Sequence, residues 1–395
     1  MKKTFLIPTK IQSGINYIIN SDIDLIYLKE KQKAKLSKTL ITLWYFIYQK
    51  QRDDDTTHTL SGYTNISSLQ FDSFKFQYNK KRLKYRQLLQ LLEEAGMISI
   101  NDKFSSGVFS KAYRVNTSFI SNDLTEVELD FDKIYRKLNN KEYWIKKYPK
   151  HIKNIKESYD VTIDLGAYIN WLNSNKGIEL KPVITNGVLS KRYLTEERIF
   201  DYIQDALKVN FSNLWFKVSD EGRFYNSLTN LSYTTLSFLS LKGKSVVELD
   251  VVNCQPLLLS LIVTHEGYKK DVQDGVFYEK MADMYGVTRN EFKMLSYRYI
   301  FFNNNTLKSG RVYNALESIY PGLIKEINEI RNEMNISREL QKIESSILVD
   351  KIGQLDYKMM LRHDAVFVYE EDYKIVCDIL KKEFSKKGLK VTIKN

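Results

Sequence analysis

The chain is poor in the residues that build covalent or cysteine-based metal frameworks. Its two cysteines, Cys254 and Cys377, stand far apart and belong to no CxxC or Cys/His grouping, which excludes a disulfide scaffold and a cysteine-ligated zinc site. Five prolines and 16 glycines among 395 residues, with no low-complexity tract and no repeat of fixed period, exclude collagen-like, solenoid and linker-dominated architectures. No apolar run reaches the about 18 residues needed for a membrane span. The start of the chain carries two lysines and a broken apolar stretch without a small-residue cleavage site, so neither export nor a membrane partner is expected, and a reducing, cytoplasmic location is. The rest of the composition, 43% hydrophobic and 27% charged, describes an ordered globular protein long enough for two or three domains.

Charge is unevenly spread. Residues 1–150 hold 26 Lys and Arg against 16 acidic residues, whereas the other 245 residues hold 34 against 32. A basic module beside a nearly neutral one suits a nucleic-acid partner, because neutralising phosphates releases counterions. A lysine-rich solvated surface is the other reading of the same excess.

Within the basic third, Leu36, Leu40, Leu43, Trp44 and Ile47 form a helical stripe that ends at a polar interval containing Asp53, Asp54, Asp55 and Gly62. The segment NKKRLKYRQLLQLLEEAG is expected to be a second helix, with Leu88, Leu91 and Leu92 buried, Lys80, Lys81, Arg82, Lys84 and Arg86 crowding its start, and Gly96 as C-cap. MISI and KAYRVN then alternate like two strands around the turn NDKFSSGVFS. Helix, helix and hairpin in this order resemble winged helix-turn-helix domains, and the resemblance implies duplex DNA as partner, with the second helix in the major groove. Residues 1–118 are accordingly expected to form a winged-helix DNA-binding domain. Residues 119–221 are expected to be a helical, thumb-like linker. Its run EYWIKKYPKHIKNIKESYD suits either tracking of a nucleic-acid backbone or a helix pair packing on itself.

The chemistry is expected in residues 222–395. Val246, Val247 and Leu249 lead into Asp250 as a buried strand would, and an apolar helix follows Pro256. Met359, Met360 and Leu361 rise into His363 and Asp364, and Val366, Phe367 and Val368 continue beyond. A carboxylate at the end of an apolar strand is costly unless its charge is compensated, and a metal ion is one compensation. Two such strands side by side would converge Asp250 and Asp364 on a pair of divalent ions. Between them in sequence, RNEFKMLSYRYIFF places Arg289, Lys293, Tyr297 and Phe301 four residues apart, hence along one face of a helix, cations first and rings after. Such a face can meet phosphates with its cations and a base and sugar with its rings.

These segments look like motifs A, B and C of the DNA polymerase I family (family A) and of the phage-type single-subunit RNA polymerases. Asp250 matches the motif A aspartate, and Gln255 falls where the DNA enzymes carry a glutamate that blocks a 2'-hydroxyl. Arg289, Lys293, Tyr297 and Phe301 match the motif B helix, and His363 with Asp364 the motif C His-Asp. GVFYEKMADMYGV resembles the segment before motif B. Gly222-Arg223 resembles a Gly-Arg that faces primer-template, and Gln341 the glutamine on the helix before motif C.

The resemblance implies an α+β right-hand polymerase, with an antiparallel-sheet palm, helical fingers and a reduced thumb, preceded by the winged helix. It implies two Mg2+ ions, or Mn2+ in their place, held by Asp250 and Asp364. Arg289 and Lys293 would hold the triphosphate, Tyr297 and Phe301 the nascent base and sugar, and Gln255 would gate the sugar. Arg223, Gln341 and His363 would face primer and template.

The expected reaction is extension of a 3'-hydroxyl with dNTPs, in the replication of phage or other mobile-element DNA. Ala365, Phe302, Phe301 and Gln255 differ from the DNA enzymes at positions that tune sugar choice and metal surroundings. Two alternatives therefore stay open: an RNA polymerase or primase on the same fold, and a catalytically inactive winged-helix replication initiator.

Overall fold

The computed structural model describes residues 2–54, 62–78, 81–103, 110–135, 141–185, 188–303 and 305–394. Its class is α+β. Among the described residues every strand pairing is antiparallel and no sheet exceeds four strands. The chain divides into two units, one of residues 1–138, 169–178 and 194–207, the other of residues 139–168, 179–193 and 208–395.

The first unit runs β1 (Lys2–Pro8), α1 (Thr9–Ser21), α2 (Glu30–Asp54), β2 (Thr64–Asn65), the one-turn α3 (Ser68–Phe71), β3 (Lys75–Tyr78), β4 (Lys81–Lys84), α4 (Tyr85–Glu94), β5 (Ile98–Asn101), β6 (Ala112–Val115), β7 (Leu124–Asp130) and α5 (Phe131–Ile134). The stripe of Leu36, Leu40, Leu43, Trp44 and Ile47 is fully buried on α2, as its spacing predicts. Phe71 packs edge-on against both Phe46 and Tyr113, joining α2, α3 and β6. β5 and β6 pair from Ile98↔Val115 to Asn101↔Ala112, and β2 joins the far edge of β6, giving the order β2-β6-β5. Residues 104–109 of the expected turn between these strands lie outside the described residues, as do Asp55 and Lys80.

One element differs from expectation. Lys81, Arg82 and Lys84 are not in a helix. They form β4, which pairs with β3 from Lys75↔Lys84 to Tyr78↔Lys81. The reason is visible in the alternation of β3, where Phe76 and Tyr78 are buried and Lys75 and Gln77 exposed, a period of two rather than 3.6. Helix α4 starts only at Tyr85, where the backbone N–H of Lys84 donates to Gln87 Oε1 at 3.0 Å, so of the described members of the basic set only Arg86 lies in the helix.

α8 (Leu165–Ser174) and α9 (Glu196–Asn210) carry the chain between the residues of the two units. Residues 119–221 are thus shared out: β7 pairs along its whole length with β1, while β8 (Val161–Ile163) joins a sheet of the second unit.

That second unit begins with α6 (Lys141–Lys147) and α7 (Ile152–Ser158). It continues through β8, the hairpin of β9 (Glu179–Thr185) and β10 (Val188–Tyr193), the hairpin of β11 (Phe216–Val218) and β12 (Phe224–Asn226), α10 (Tyr233–Leu236), β13 (Leu239–Leu241) and β14 (Lys244–Ser245). The lysine-aromatic run packs on itself: Trp144 stacks on Tyr148 and meets Phe216 edge-on.

Then come β15 (Val247–Val251), α11 (Cys254–Leu259), α12 (Glu266–Gln273), α13 (Phe277–Tyr285), α14 (Arg289–Ser296), α15 (Arg311–Ile319), α16 (Leu323–Glu333), α17 (Ile336–Leu348), β16 (Met359–Arg362), β17 (Ala365–Val368), α18 (Tyr373–Ser385) and β18 (Ile393–Lys394). The central sheet has the order β16-β17-β15-β18. Leu249 and Val251 of β15 and all four residues of β17 are buried, whereas Glu248 and Asp250 point to the other face of β15 and are only half-buried. α18 packs on β15 and α7 on β16. Asn226 Nδ2 donates to the Leu361 carbonyl at 3.1 Å and ties β12 to the edge of the sheet.

Candidate active site

The run Met359–Val368 is a hairpin, not one strand. Arg362 pairs with Ala365, so His363 and Asp364 form its two-residue turn, with His363 at a positive φ of 52° that is uncommon outside glycine. Across the neighbouring ladder Asp250 faces Ala365, the residue after Asp364. The turn therefore delivers one carboxylate beside the other, as the two apolar flanks predicted.

Electrostatics agree with that proximity. Burial first, and then the charge of Asp364, push the Asp250 carboxyl up to about 6, while Lys293, Lys181 and Lys394 pull it down. Glu248, two residues back on the same face, is also raised, by burial and by Asp250. His363 is lowered to about 3 by burial and the cations Arg223 and Arg362, so its ring is neutral at physiological pH. It lies edge-on to Tyr225 at 5.6 Å, and its buried Nδ1 has no hydrogen-bond partner among the described residues. Arg362 is anchored by Nη2 donating to the Leu231 carbonyl at 3.0 Å.

Thr288 caps α14, accepting from Glu291 N–H at 3.3 Å while Glu291 Oε2 accepts from Thr288 N–H at 2.8 Å. The expected continuous helix stops at Ser296, and Tyr297–Phe301 is a π-helical turn. One extra residue per turn rotates the remainder of the segment, so Arg289, Lys293, Tyr297 and Phe301 do not share a face to the end. Phe301 is fully buried, edge-on to Phe277 and to Tyr297, instead of lying open for a nucleotide. Phe302 is the ring left exposed.

The two cations of α14 differ. Arg289 is engaged: Nε meets Glu279 Oε1 at 2.6 Å, Nη2 donates to Asn253 Oδ1 at 3.1 Å, and the guanidinium lies over Tyr278. Asn253 sits at φ 56° at the turn from β15 into α11, so Arg289 braces the backbone that carries Asp250. Lys293 has no ion pair among the described residues, lies 5.6 Å over the Tyr297 ring, and contributes to the potential at Asp250.

Gln255 is buried on α11, where its Nε2 donates to Glu344 Oε2 at 2.6 Å. Arg223 follows the tight turn at Gly222, whose φ is 82°, and its Nε meets Glu344 Oε1 at 2.8 Å. Gln341 stands apart from this group. Its Nε2 is 3.4 Å from Ser337 Oγ, and it lines a cleft with Ser219, Glu221 and Arg338.

Sequence reasoning missed Glu344, Glu248, Arg362 and Lys181. Glu344 had a signal, since it occupies the buried stripe Leu340, Glu344, Ile347 and Leu348 of α17, where a carboxylate demands a partner. Lys181 had none: it comes from the β9–β10 hairpin, remote in sequence from the motifs.

Among the described residues no group of three or more His, Cys, Asp and Glu side chains is placed to hold a metal ion. Asp250 and Asp364 nonetheless fit Mg2+, which commonly takes one or two carboxylates and fills its octahedron with water and substrate phosphate oxygens. The carboxyl of Asp250, raised by burial and by its neighbour's charge, is the group such an ion would relieve. No helix among the described residues is long and apolar enough to cross a membrane. No protein-family model matches the chain, and no curated protein matches it.

Proposed function

We propose that this chain is a nucleotidyltransferase, a compact DNA polymerase that extends a 3'-hydroxyl with deoxynucleoside triphosphates. The observation that carries the reading is the placement of Asp250 on β15 opposite Ala365, next to Asp364 on the adjoining hairpin turn, beside Lys293, a cation without an ion pair among the described residues. In the reaction the 3'-oxygen forms a bond to the α-phosphorus, the bond from that phosphorus to the bridging oxygen breaks, pyrophosphate leaves, and the hydroxyl proton passes to solvent. Two Mg2+ ions, when bound by Asp250 and Asp364, would lower the pKa of that hydroxyl and neutralise the departing pyrophosphate.

The side chains do the remaining work. Lys293 attracts the triphosphate and offsets the charge that grows on its β-phosphate. Arg289 holds the Asn253 turn and exchanges Glu279 for phosphate when substrate enters. Tyr297 supplies the ring for the incoming base, Phe301 supports it from the core, and Gln255 restricts the sugar. Arg223 and the neutral His363 flank the primer side. The first unit would hold duplex DNA: the order of α2, α3 and α4 with the sheet β2-β6-β5 resembles that of a winged helix, and Lys81, Arg82, Lys84 and Arg86 would supply its phosphate contacts.

Primer extension with Mg2+ tests the reading. The wild-type chain is expected to add dNTPs, while Asp250→Asn and Asp364→Asn, each folded by circular dichroism, lose at least about a thousandfold in rate. Folded wild-type protein that shifts duplex DNA but extends no primer with Mg2+ or Mn2+ would favour the initiator alternative. A preference for NTPs over dNTPs would favour the RNA polymerase or primase alternative, to which the amide at Gln255 gives its interest.

A further inference from the structure

Glu344 joins three elements through one buried carboxylate. It lies on α17 with 1% of its surface exposed, forms an ion pair with Arg223 of the β11–β12 turn (Nε to Oε1 2.8 Å), accepts from Arg223 Nη2 at 3.3 Å, and accepts from Gln255 of α11 at 2.6 Å. Burial holds its carboxyl above the usual range even with the guanidinium beside it. A buried ion pair of this kind is seldom retained for stability, since well-packed apolar residues of similar volume often serve the fold as well or better. The flanking Leu340, Ile347 and Leu348 show that this stripe of α17 is otherwise apolar.

Gln255 has a single side-chain hydrogen bond among the described residues. Its Nε2 is tied to Glu344, and its Oε1 is buried without a partner among the described residues. A carboxylate only accepts, so Glu344 also dictates the orientation of the amide, with the NH2 turned to itself and the carbonyl oxygen left free.

We propose that Glu344 is a positioning residue for sugar selection, which locks the amide of Gln255 and the guanidinium of Arg223 into one arrangement. The inference rests on the polymerase reading and adds to it a residue outside the A, B and C segments. Without the carboxylate the amide keeps its volume but loses its only anchor, and the sugar then meets a side chain free to turn. Substitution to Gln goes further. A carboxamide at 344 that accepts from Arg223 presents its own NH2 to Gln255, which must then reverse to offer its carbonyl.

The test is the ratio of kcat/KM for a dNTP to that for the matching NTP on a primed template, measured for wild type, Glu344→Gln, Gln255→Met and the double variant. The ratio is expected to fall by about tenfold in each single variant, the worth of one buried hydrogen bond. The double variant is expected to fall no further than the single ones, because both act through the same contact. Loss of structure alone would lower kcat for both sugars and leave the ratio unchanged. Glu344→Asp, which keeps the charge for Arg223 but withdraws the oxygen from Gln255, gives the same reading should Glu344→Gln not fold. An unchanged ratio in the folded Glu344 variants, or additive losses in the double variant, overturns the inference and leaves the polymerase reading standing. A wild-type chain that extends with neither sugar removes both.

Discussion

Asp250 stands directly opposite Ala365 across the β15–β17 ladder, one residue from Asp364 at the tip of the β16–β17 hairpin. That register fixes the candidate chemistry, because side chains alternate strictly along a strand. A slip of one residue would turn Asp250 into the core and bring Leu249 out in its place.

The charge of Asp250 carries a stability signature. Its carboxyl titrates near 6 in the folded chain, above the 3.8 of a free aspartate. Below the lower value both states are protonated and there is no penalty. As pH rises toward about 6 the unfolded state releases a proton that the folded state retains, so folding loses stability, and above that the loss is constant. In metal-free buffer Asp250→Asn is therefore expected to melt about 2–4 °C above wild type at pH 8, with the difference vanishing below pH 4. Added Mg2+ is expected to raise the wild-type midpoint at pH 8 and to leave that of the variant where it is. Thermal denaturation across pH reads both, and a wild type more stable than Asp250→Asn at pH 8 without metal would contradict the argument.

Arg289 is held by Glu279 and Asn253, whereas Lys293 has no ion pair among the described residues. Removing the competing carboxylate with Glu279→Gln is expected to lower KM for the incoming nucleotide, since phosphate no longer has to displace it. Lys293→Ala is expected to cost about a hundredfold in kcat/KM, as the loss of one preorganised cation does elsewhere. Steady-state kinetics on a primed template separate the two. A raised KM in Glu279→Gln would show that Arg289 serves only to brace the Asn253 turn.

Phe301 is a core residue among Phe277, Tyr297 and their neighbours. Phe301→Ala is expected to lose about 3–5 kcal/mol of stability in urea denaturation, as other buried rings do. Phe301→Tyr has to place a hydroxyl in that core without an assured partner and is also expected to destabilise. A neutral Phe301→Ala would mean that the ring does not pack as described.

The strand β4 offers Lys81, Arg82 and Lys84 at consecutive or near-consecutive positions, with Arg86 just beyond. Reversing Arg82 and Lys84 to Glu is expected to weaken duplex binding uniformly across sequences. The slope of log K against log salt should decrease by about 0.9 for each phosphate that is no longer neutralised. Fluorescence anisotropy over a salt series measures this, and an unchanged slope would remove the hairpin from the proposed DNA-binding surface.

Much of the architecture was legible in the sequence because burial imposes a period. The stripe of α2, the apolar run around Asp250 and the pair Ile98–Asn101 with Ala112–Val115 are spaced as their packing requires. The basic hairpin was not legible, since β4 carries one apolar residue, Leu83, among three cations, and a charged run with a leucine following looks helical. The turn at His363 was hidden because apolar runs, 359–361 and 365–368, lie on either side of Arg362, His363 and Asp364, and nothing in a His-Asp pair demands a reversal. Glu344 was visible only as a misplaced charge, and its partners lie 121 and 89 residues away in the chain.

The π-helical turn at Tyr297–Phe301 makes this stretch unusually sensitive to chain length. Each residue added to or removed from a helix turns everything beyond it by about 100°. Deleting one residue here would straighten the segment into ordinary α-helix and bring Phe302 to the buried place that Phe301 holds. A substitution in this segment alters one side chain and its immediate neighbours. A single-codon deletion would re-index the whole segment, so variation there should accumulate by replacement and hardly ever by loss of a residue.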